Sequence, residues 1–312
     1  MPKLNCNGKM TLPLILSTGF GLILVLALIY VNTRNLDNIP GLQDFAGNIG
    51  MKVRFITGMQ TNLFRSEQAE KSAVMADTDE ASMVFADQSR RAAGSLEQDR
   101  HALESLIEKD PTDKEKKLLG EFSDAWRELR NIDQEILDFA VQNTNLKAMA
   151  LSFGKGGEFM RRFENALDRL IISGLSADTP CRVTVLASQA LVSAFKIYNL
   201  HALHIAEQRD EKMDEIEARM RRYSAAIDVS FKELTSAAGV RDEDLGSVKE
   251  AMAAYADLTA VTAEVINLSR RNTNVKSFQL SIGRKRRMVA QCDEILTSLL
   301  QAVREREFKA TR

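Results

Sequence analysis

The sequence predicts an all-α protein: an elongated antiparallel four-helix bundle built from two tandem helical hairpins, behind one N-terminal transmembrane helix. Three observations carry this expectation. Helix breakers are rare, with 5 prolines and 16 glycines in 312 residues. Apolar residues recur at three- and four-residue spacing, and a polar motif returns once at a constant offset. The charge balance, 42 Lys+Arg against 43 Asp+Glu, gives no general pull towards nucleic acid or anionic lipid. Cys6, Cys181 and Cys292 are too few and too scattered for a disulfide framework or a metal cluster.

The first element is Leu12 to Val31, an uncharged apolar segment with the length of about 20 residues that a hydrocarbon core demands. Lys3, Lys9 and the terminal amine precede it, which favours a cytoplasmic N-terminus and a translocated body, although Arg34 on the far side makes the bias modest. A cleavable signal peptide would have a shorter apolar region ending in a small-x-small site. Here the run closes on Ile29-Tyr30-Val31-Asn32, so an uncleaved anchor is the expectation.

Beyond the anchor, breakers fall at Ile39-Pro40-Gly41, at Lys109-Asp110-Pro111-Thr112, from Ser173-Gly174 to Pro180, and at Gly239 with Gly246. The stretches between them read as four helices of about 55 to 65 residues, each about 80 to 100 Å long. Leu119, Phe122, Trp126, Leu129, Ile136 and Phe139 form one apolar stripe, continued by Leu146, Met149, Phe153, Met160, Phe163, Leu167 and Leu170. Met213, Ile216, Met220, Tyr223, Ile227 and Leu234 form another, and Val275, Phe278, Ile282, Val289, Cys292, Leu296, Leu299 and Val303 a third. Short connections at Pro111 and Gly239 make successive helices antiparallel neighbours.

The two halves resemble each other. Asn143-Thr144-Asn145-Leu146-Lys147 and Leu151-Ser152-Phe153-Gly154 return as Asn272-Thr273-Asn274-Val275-Lys276 and Leu280-Ser281-Ile282-Gly283, always 129 residues later. The expected organisation is therefore a tail at 1–11, the anchor at 12–31, and helical hairpin repeats at 32–174 and 175–312. Each Asn-Thr-Asn segment either caps a new helix after a tight turn or lies within a continuous helix; the absence of Gly and Pro favours continuity. In that reading Asn143 and Asn272 are polar positions on the seam. They would set register, or would meet a ligand together with the recurring Lys147 and Lys276. Gly154, Gly156 and Gly157 suggest a kink, a close helix approach or a hinge; the second half keeps only Gly283, so the hinge is expected to be asymmetric.

No catalytic constellation, phosphate-cradling loop or nucleophile elbow is present in the sequence, so neither an enzyme nor a cofactor is expected. His201-x-x-His204-x-x-Glu207 has spacing that could hold a metal, but two histidines flanking an apolar stripe is the stronger reading, and no metal is expected. Cys292 aligns with Phe163 and reads as a small core residue. The basic run Arg284-Lys285-Arg286-Arg287 has no aromatic platform beside it, and a translocated chain would not meet nucleic acid.

The segment GFGLILVLALIYVNTRNLDNI resembles the first transmembrane helix of bacterial methyl-accepting chemotaxis receptors running into the sensor. EFSDAWRELRNIDQEILDFAVQNTNLKAMALSFGK is similar to the later helices of their four-helix-bundle sensor domains. The doubling looks like the larger helical bimodular variant, with two stacked modules. The resemblance implies a ligand-sensing module in the bacterial inner membrane, with a cytoplasmic N-terminus and a periplasmic body. Such a module would bind a small molecule such as an organic acid or amino acid, pair as a homodimer, and signal by helix displacement. The sequence shows no second apolar span and no signalling hairpin before Arg312, which implies either a truncated receptor or a receptor-like module on one anchor. The other function class is a membrane-tethered helical scaffold that binds partner helices without a small ligand.

Overall fold

The computed structural model describes residues 40–175, 181–236 and 242–310. The anchor Leu12–Val31 and the tail before it lie outside the described residues. All regular structure among the described residues is helical.

The first repeat comprises α1 (Pro40–Met75), α2 (Asp79–Lys109), α3 (Asp113–Ala140), α4 (Thr144–Leu151) and α5 (Gly157–Leu175). The second comprises α6 (Cys181–Ala206), α7 (Asp210–Ser236), α8 (Asp242–Arg271), α9 (Thr273–Leu280) and α10 (Arg286–Ala310). One turn of π-helix, Ser152–Gly156, joins α4 to α5, and another, Ser281–Lys285, joins α9 to α10. The wide turn is thus present in both halves, whereas the glycines had suggested an asymmetric hinge. An inserted residue in the helical ladder, not glycine content, makes the feature.

Two turns lack any Gly or Pro and were not foreseen. At Ala76-Asp77-Thr78 the chain reverses because Thr78 caps α2, its Oγ1 accepting from the Ala81 N–H at 3.1 Å, with Asp79 and Glu80 at the positive end of the helix. At Glu207-Gln208-Arg209 the Glu207 carboxylate accepts the backbone N–H groups of Gln208 and Arg209 at 2.9 and 3.1 Å.

These extra turns change the architecture. In place of one long four-helix bundle there are two stacked modules, as the bimodular resemblance implied. The first packs α1, α2, α3 and α10 around Ile56, Leu63, Leu96, Phe122, Leu129, Cys292 and Leu299. The second packs α6, α7, α8 and α5 around Phe163, Leu167, Ala190, Ile227, Leu234 and Leu258. Each repeat therefore supplies three helices to one module and one to the other. Neither half could close a core alone, because its last helix completes the bundle of its partner.

Within each module the packing is uneven. Small residues on α1 and α2 (Ser66, Ala69, Ala73, Ser82, Ala86, Ser89, Ala93) allow close approach, and Ser66 and Ser89 share a 3.0 Å hydrogen bond between their hydroxyls. By contrast α2 and α3 meet only sparsely, as do α7 and α8, leaving one open seam per module.

Arg182–Ala206, within α6, is by length and composition apolar enough to cross a membrane. In this fold it is a core helix instead: Ala187, Ala190, Ala194 and Leu200 are buried against its neighbours.

Candidate functional site: a cavity tied to an inter-module joint

The modules meet where the duplicated motif crosses itself. Asn143 ends α3 in the left-handed region (φ 48°, ψ 38°), and Asn272 ends α8 in the same way (φ 55°, ψ 37°). Asparagine tolerates this conformation better than other side chains, so a helix breaks here without glycine. The expected continuous helix is thus replaced by the turn-and-cap alternative. Each new helix starts at once, since Lys147 N–H donates to the Asn143 carbonyl and Lys276 N–H to that of Asn272.

The N–H groups at the starts of α4 and α9 that have no partner within their own helix are capped from the other repeat. Thr144 N–H donates to Thr273 Oγ1 at 3.2 Å, and Thr273 N–H to Thr144 Oγ1 at 3.2 Å. Asn145 N–H donates to Asn274 Oδ1 at 3.1 Å and Asn274 N–H to Asn145 Oδ1 at 3.3 Å. This reciprocity defines a pseudo-two-fold axis between the repeats and satisfies orphan helix donors that the local sequence leaves open.

The four residues singled out by repetition all sit at this joint. Asn143 is buried, donates to Asp79 Oδ1 at 3.0 Å and accepts from Asn274 Nδ2 at 2.9 Å. Asn272, also buried, donates to the Glu207 carbonyl at 3.0 Å and accepts from Asn145 Nδ2 at 2.8 Å. Lys147 pairs with Asp79 at 2.7 Å and donates to the Gln142 carbonyl, while Lys276 lies 5.9 Å from the Phe139 ring centroid. The polar atoms of the two asparagines are thus bonded within the chain, tying helix ends to hairpin turns.

Next to the joint, in the second module, lies a cavity of about 190 Å³ between α6, α7 and α8. That is room for about six waters at roughly 30 Å³ each, or for one small organic molecule. Ile197, Met220, Leu258 and Ile266 line it with apolar surface; Glu217, Arg221, Tyr255 and Thr262 supply the polar groups. Arg221 stands 3.6 Å from Glu217, so the cavity presents a guanidinium and a carboxylate side by side. Tyr255 donates to Ser224 Oγ at 2.8 Å, and burial raises its phenol above the ordinary range.

Two buried histidines connect this lining to the joint. His201 Nε2 shares a 3.0 Å hydrogen bond with Thr262 Oγ1, and its Nδ1 a 2.9 Å bond with Ser152 Oγ, at the start of the π-turn. His204 bonds Glu217 Oε1 at 3.1 Å on one side and Ser269 Oγ at 2.5 Å on the other, three residues before Asn272. Both rings are fully buried. Burial, assisted by the nearby His204, pulls the His201 imidazole down to about 4. Burial also lowers His204, against the opposing pull of Glu217. Glu207 turns away to Arg209, so the His201/His204/Glu207 spacing does not gather three ligands; among the described residues no such cluster exists.

The repeat relation places a different chemistry at the matching point of the first module. There Lys285, one residue of the basic run Arg284-Lys285-Arg286-Arg287, is buried and contacts Glu70 at 2.8 Å and Asp133 at 2.5 Å, while Ser281 donates to Glu70. Burial lifts the Glu70 carboxyl above its usual range against the pull of Lys285. Ser281 matches Ser152, Asp133 matches Thr262 and Lys285 matches Gly156. At Gly156 a Cβ would lie about 3.5 Å from Val261 and from the Leu151 carbonyl, so a lysine there would meet the packed wall of the second module.

Sequence reasoning singled out the histidine pair but not its role, and it passed over Glu217, Arg221, Tyr255 and Thr262. Thr262 within the apolar run of α8, aligned with Asp133, was the available signal. A family model described as a four helix bundle sensory module for signal transduction matches residues 13–173, just over half of the chain. No curated protein matches the sequence.

Proposed function

The chain belongs to the family of four-helix-bundle sensory modules for signal transduction, and we propose on that premise that it is the ligand-sensing body of a membrane-anchored receptor. In this reading Leu12–Val31 is a single N-terminal transmembrane helix that holds the body in the periplasm, with the N-terminus cytoplasmic, and the body pairs as a homodimer. The ligand is a small organic acid or amino acid, taken up between α6, α7 and α8.

One observation carries the reading: the cavity lining is hydrogen-bonded through His201 to the π-turn after α4, and through His204 to the last turn of α8 beside the Asn272 break. A carboxylate drawn to Arg221 competes with Glu217 within α7, and an amine drawn to Glu217 competes with the His204 and Arg270 bonds that tie α7 to α6 and α8. The resulting displacement passes across the reciprocal Thr144/Thr273 caps into α9 and α10. Asn143, Asn272, Lys147 and Lys276 serve this transmission by holding the joint.

The test is thermal-shift screening of the full chain in detergent against organic acids and amino acids. One compound class should raise the midpoint, by an amount that grows with the logarithm of ligand concentration above Kd, and Ala263→Trp, which fills the cavity mouth, should erase the effect. Flat curves across the panel would favour a tethered scaffold.

A further inference from the structure

Each π-turn opens on a serine bonded to a buried titratable side chain, and the two side chains occupy matching places. Glu70 and His201 each stand nine residues before the start of the next helix, Asp79 of α2 and Asp210 of α7. Ser152 Oγ lies 2.9 Å from His201 Nδ1, and Ser281 Oγ donates to Glu70 Oε2 at 3.3 Å. In the second module the other two matching residues are Thr262 and Gly156, neither of them charged; in the first they are Asp133 and Lys285. The fold is built at those positions without ions, so the charged cluster is not a requirement of packing.

Its charges do not balance. Two carboxylates and one ammonium are buried together, so full ionisation leaves one negative charge in excess. Lys285 Nζ bonds Glu70 Oε2 and Asp133 Oδ1, and Ser281 bonds the same Glu70 oxygen, whereas Glu70 Oε1 is enclosed without a partner. Other charged groups of the packed elements are engaged elsewhere. On α1 Glu67 pairs with Lys71, and on α2 Asp87 pairs with Arg90, which also reaches Asp138 of α3. Arg284 of the π-turn pairs with Glu128 of α3, and Arg286 and Arg287 of α10 are exposed. Arg130 of α3 lies by the Trp126 ring and Lys276 of α9 by that of Phe139. An excess buried charge costs far more than a buried hydroxyl. Burial accordingly raises Glu70 against the pull of Lys285, and Asp133 adds to the rise.

We propose that Glu70, Asp133 and Lys285 form a proton site that controls the grip of the first module on its π-turn. One proton from solvent adds to Glu70 Oε1, and the cluster becomes neutral. Lys285 then keeps a one-to-one ion pair with Asp133, while its bond to Glu70 and that of Ser281 lose their charge assistance. The π-turn passes from a hold shared by α1 and α3 to a hold by α3, and α1 is released from the start of α10. The site lies in the first module and operates whether or not the α6–α7–α8 cavity is occupied.

Infrared difference spectroscopy of the full chain in detergent, titrated from pH 7.5 to 4.5, reads the carbonyl band of a protonated carboxyl. Subtracting Glu70→Gln from wild type isolates Glu70, whose band should appear with a midpoint above the ordinary glutamate value of about 4.3. In an Asp133→Asn background the midpoint should fall by about one pH unit or more, since the like charge is gone. Amide hydrogen exchange over residues 281–288, corrected for its intrinsic pH dependence, should quicken about threefold or more from pH 7.5 to pH 5 in wild type. In Glu70→Gln it should be quick at both. The proposal fails if the difference spectrum holds no band above the ordinary range, or if Asp133→Asn leaves the midpoint in place. It also fails if exchange over 281–288 is independent of pH in wild type. Failure of Glu70→Gln to fold would overturn it too, because a neutral side chain there is the state the site must accommodate.

Discussion

Replacing His201 by Gln isolates the cost of keeping an imidazole neutral inside the second module. The ring is fully buried, and its titration is pulled down to about 4. In the unfolded chain it titrates near the ordinary value of about 6.5. Above pH 6.5 the ring is neutral in both states and adds no pH dependence. Below it the unfolded chain takes up a proton that the folded chain refuses, so stability falls by about 1.4 kcal/mol per pH unit, or about 2 kcal/mol by pH 5. Burial of His204 acts with the same sign. The raised Glu70 acts with the opposite sign, but it is present in both proteins and cancels in the comparison. Glutamine keeps a donor and an acceptor for Ser152 and Thr262 without a titrating proton. The assay is urea unfolding at pH 7.5 and pH 5, followed by far-ultraviolet circular dichroism and by fluorescence of the single tryptophan, Trp126, which sits in the first module. Wild type should lose about 2 kcal/mol more than His201→Gln on acidification. Equal pH sensitivity of the two proteins would refute a buried neutral His201.

Three further outcomes are expected. Lys285→Met should destabilise the first module by about 3–5 kcal/mol, because it strands two buried carboxyls, whereas adding Glu70→Leu and Asp133→Leu should recover most of the loss in urea midpoint. A single variant within 1 kcal/mol of wild type, by the usual size of surface effects, would mean that the cluster is solvated. Asn143→Ala should cost about 2–4 kcal/mol, from the left-handed backbone and two lost hydrogen bonds, and Asn143→Gly should cost less, since only the bonds are lost; equal losses would remove the backbone argument. In a double-mutant cycle, Thr144→Val and Thr273→Val should couple by about 0.5–2 kcal/mol, since each hydroxyl caps the helix of the other. Simple additivity would contradict reciprocal capping.

The candidate site was legible only in fragments. Repetition drew attention to Asn143 and Asn272 because identical polar residues at a constant spacing stand out against an apolar stripe. What they do depends on Asn274, Asn145, Asp79 and Glu207, and those partners lie 64 to 131 residues away. His201 and His204 were visible as a spacing. Their neutral, buried state follows from Ser152, Thr262, Ser269 and Glu217, which come from three other elements.

By itself, the sequence determined the helical class, the tandem duplication, the apolar stripes and the resemblance to sensory modules, because each rests on local periodicity or on direct repetition. Tertiary structure decided that the halves exchange their last helices, that two modules stack, and that Lys285 goes inside while its counterpart is Gly156. It also decided that the asparagines break helices in place of continuing them. A spacing of three and four residues says which face of a helix is buried. Which faces meet is settled by pairings across 129 residues or more, such as Thr144 with Thr273 and Asp133 with Lys285, and no local pattern encodes those.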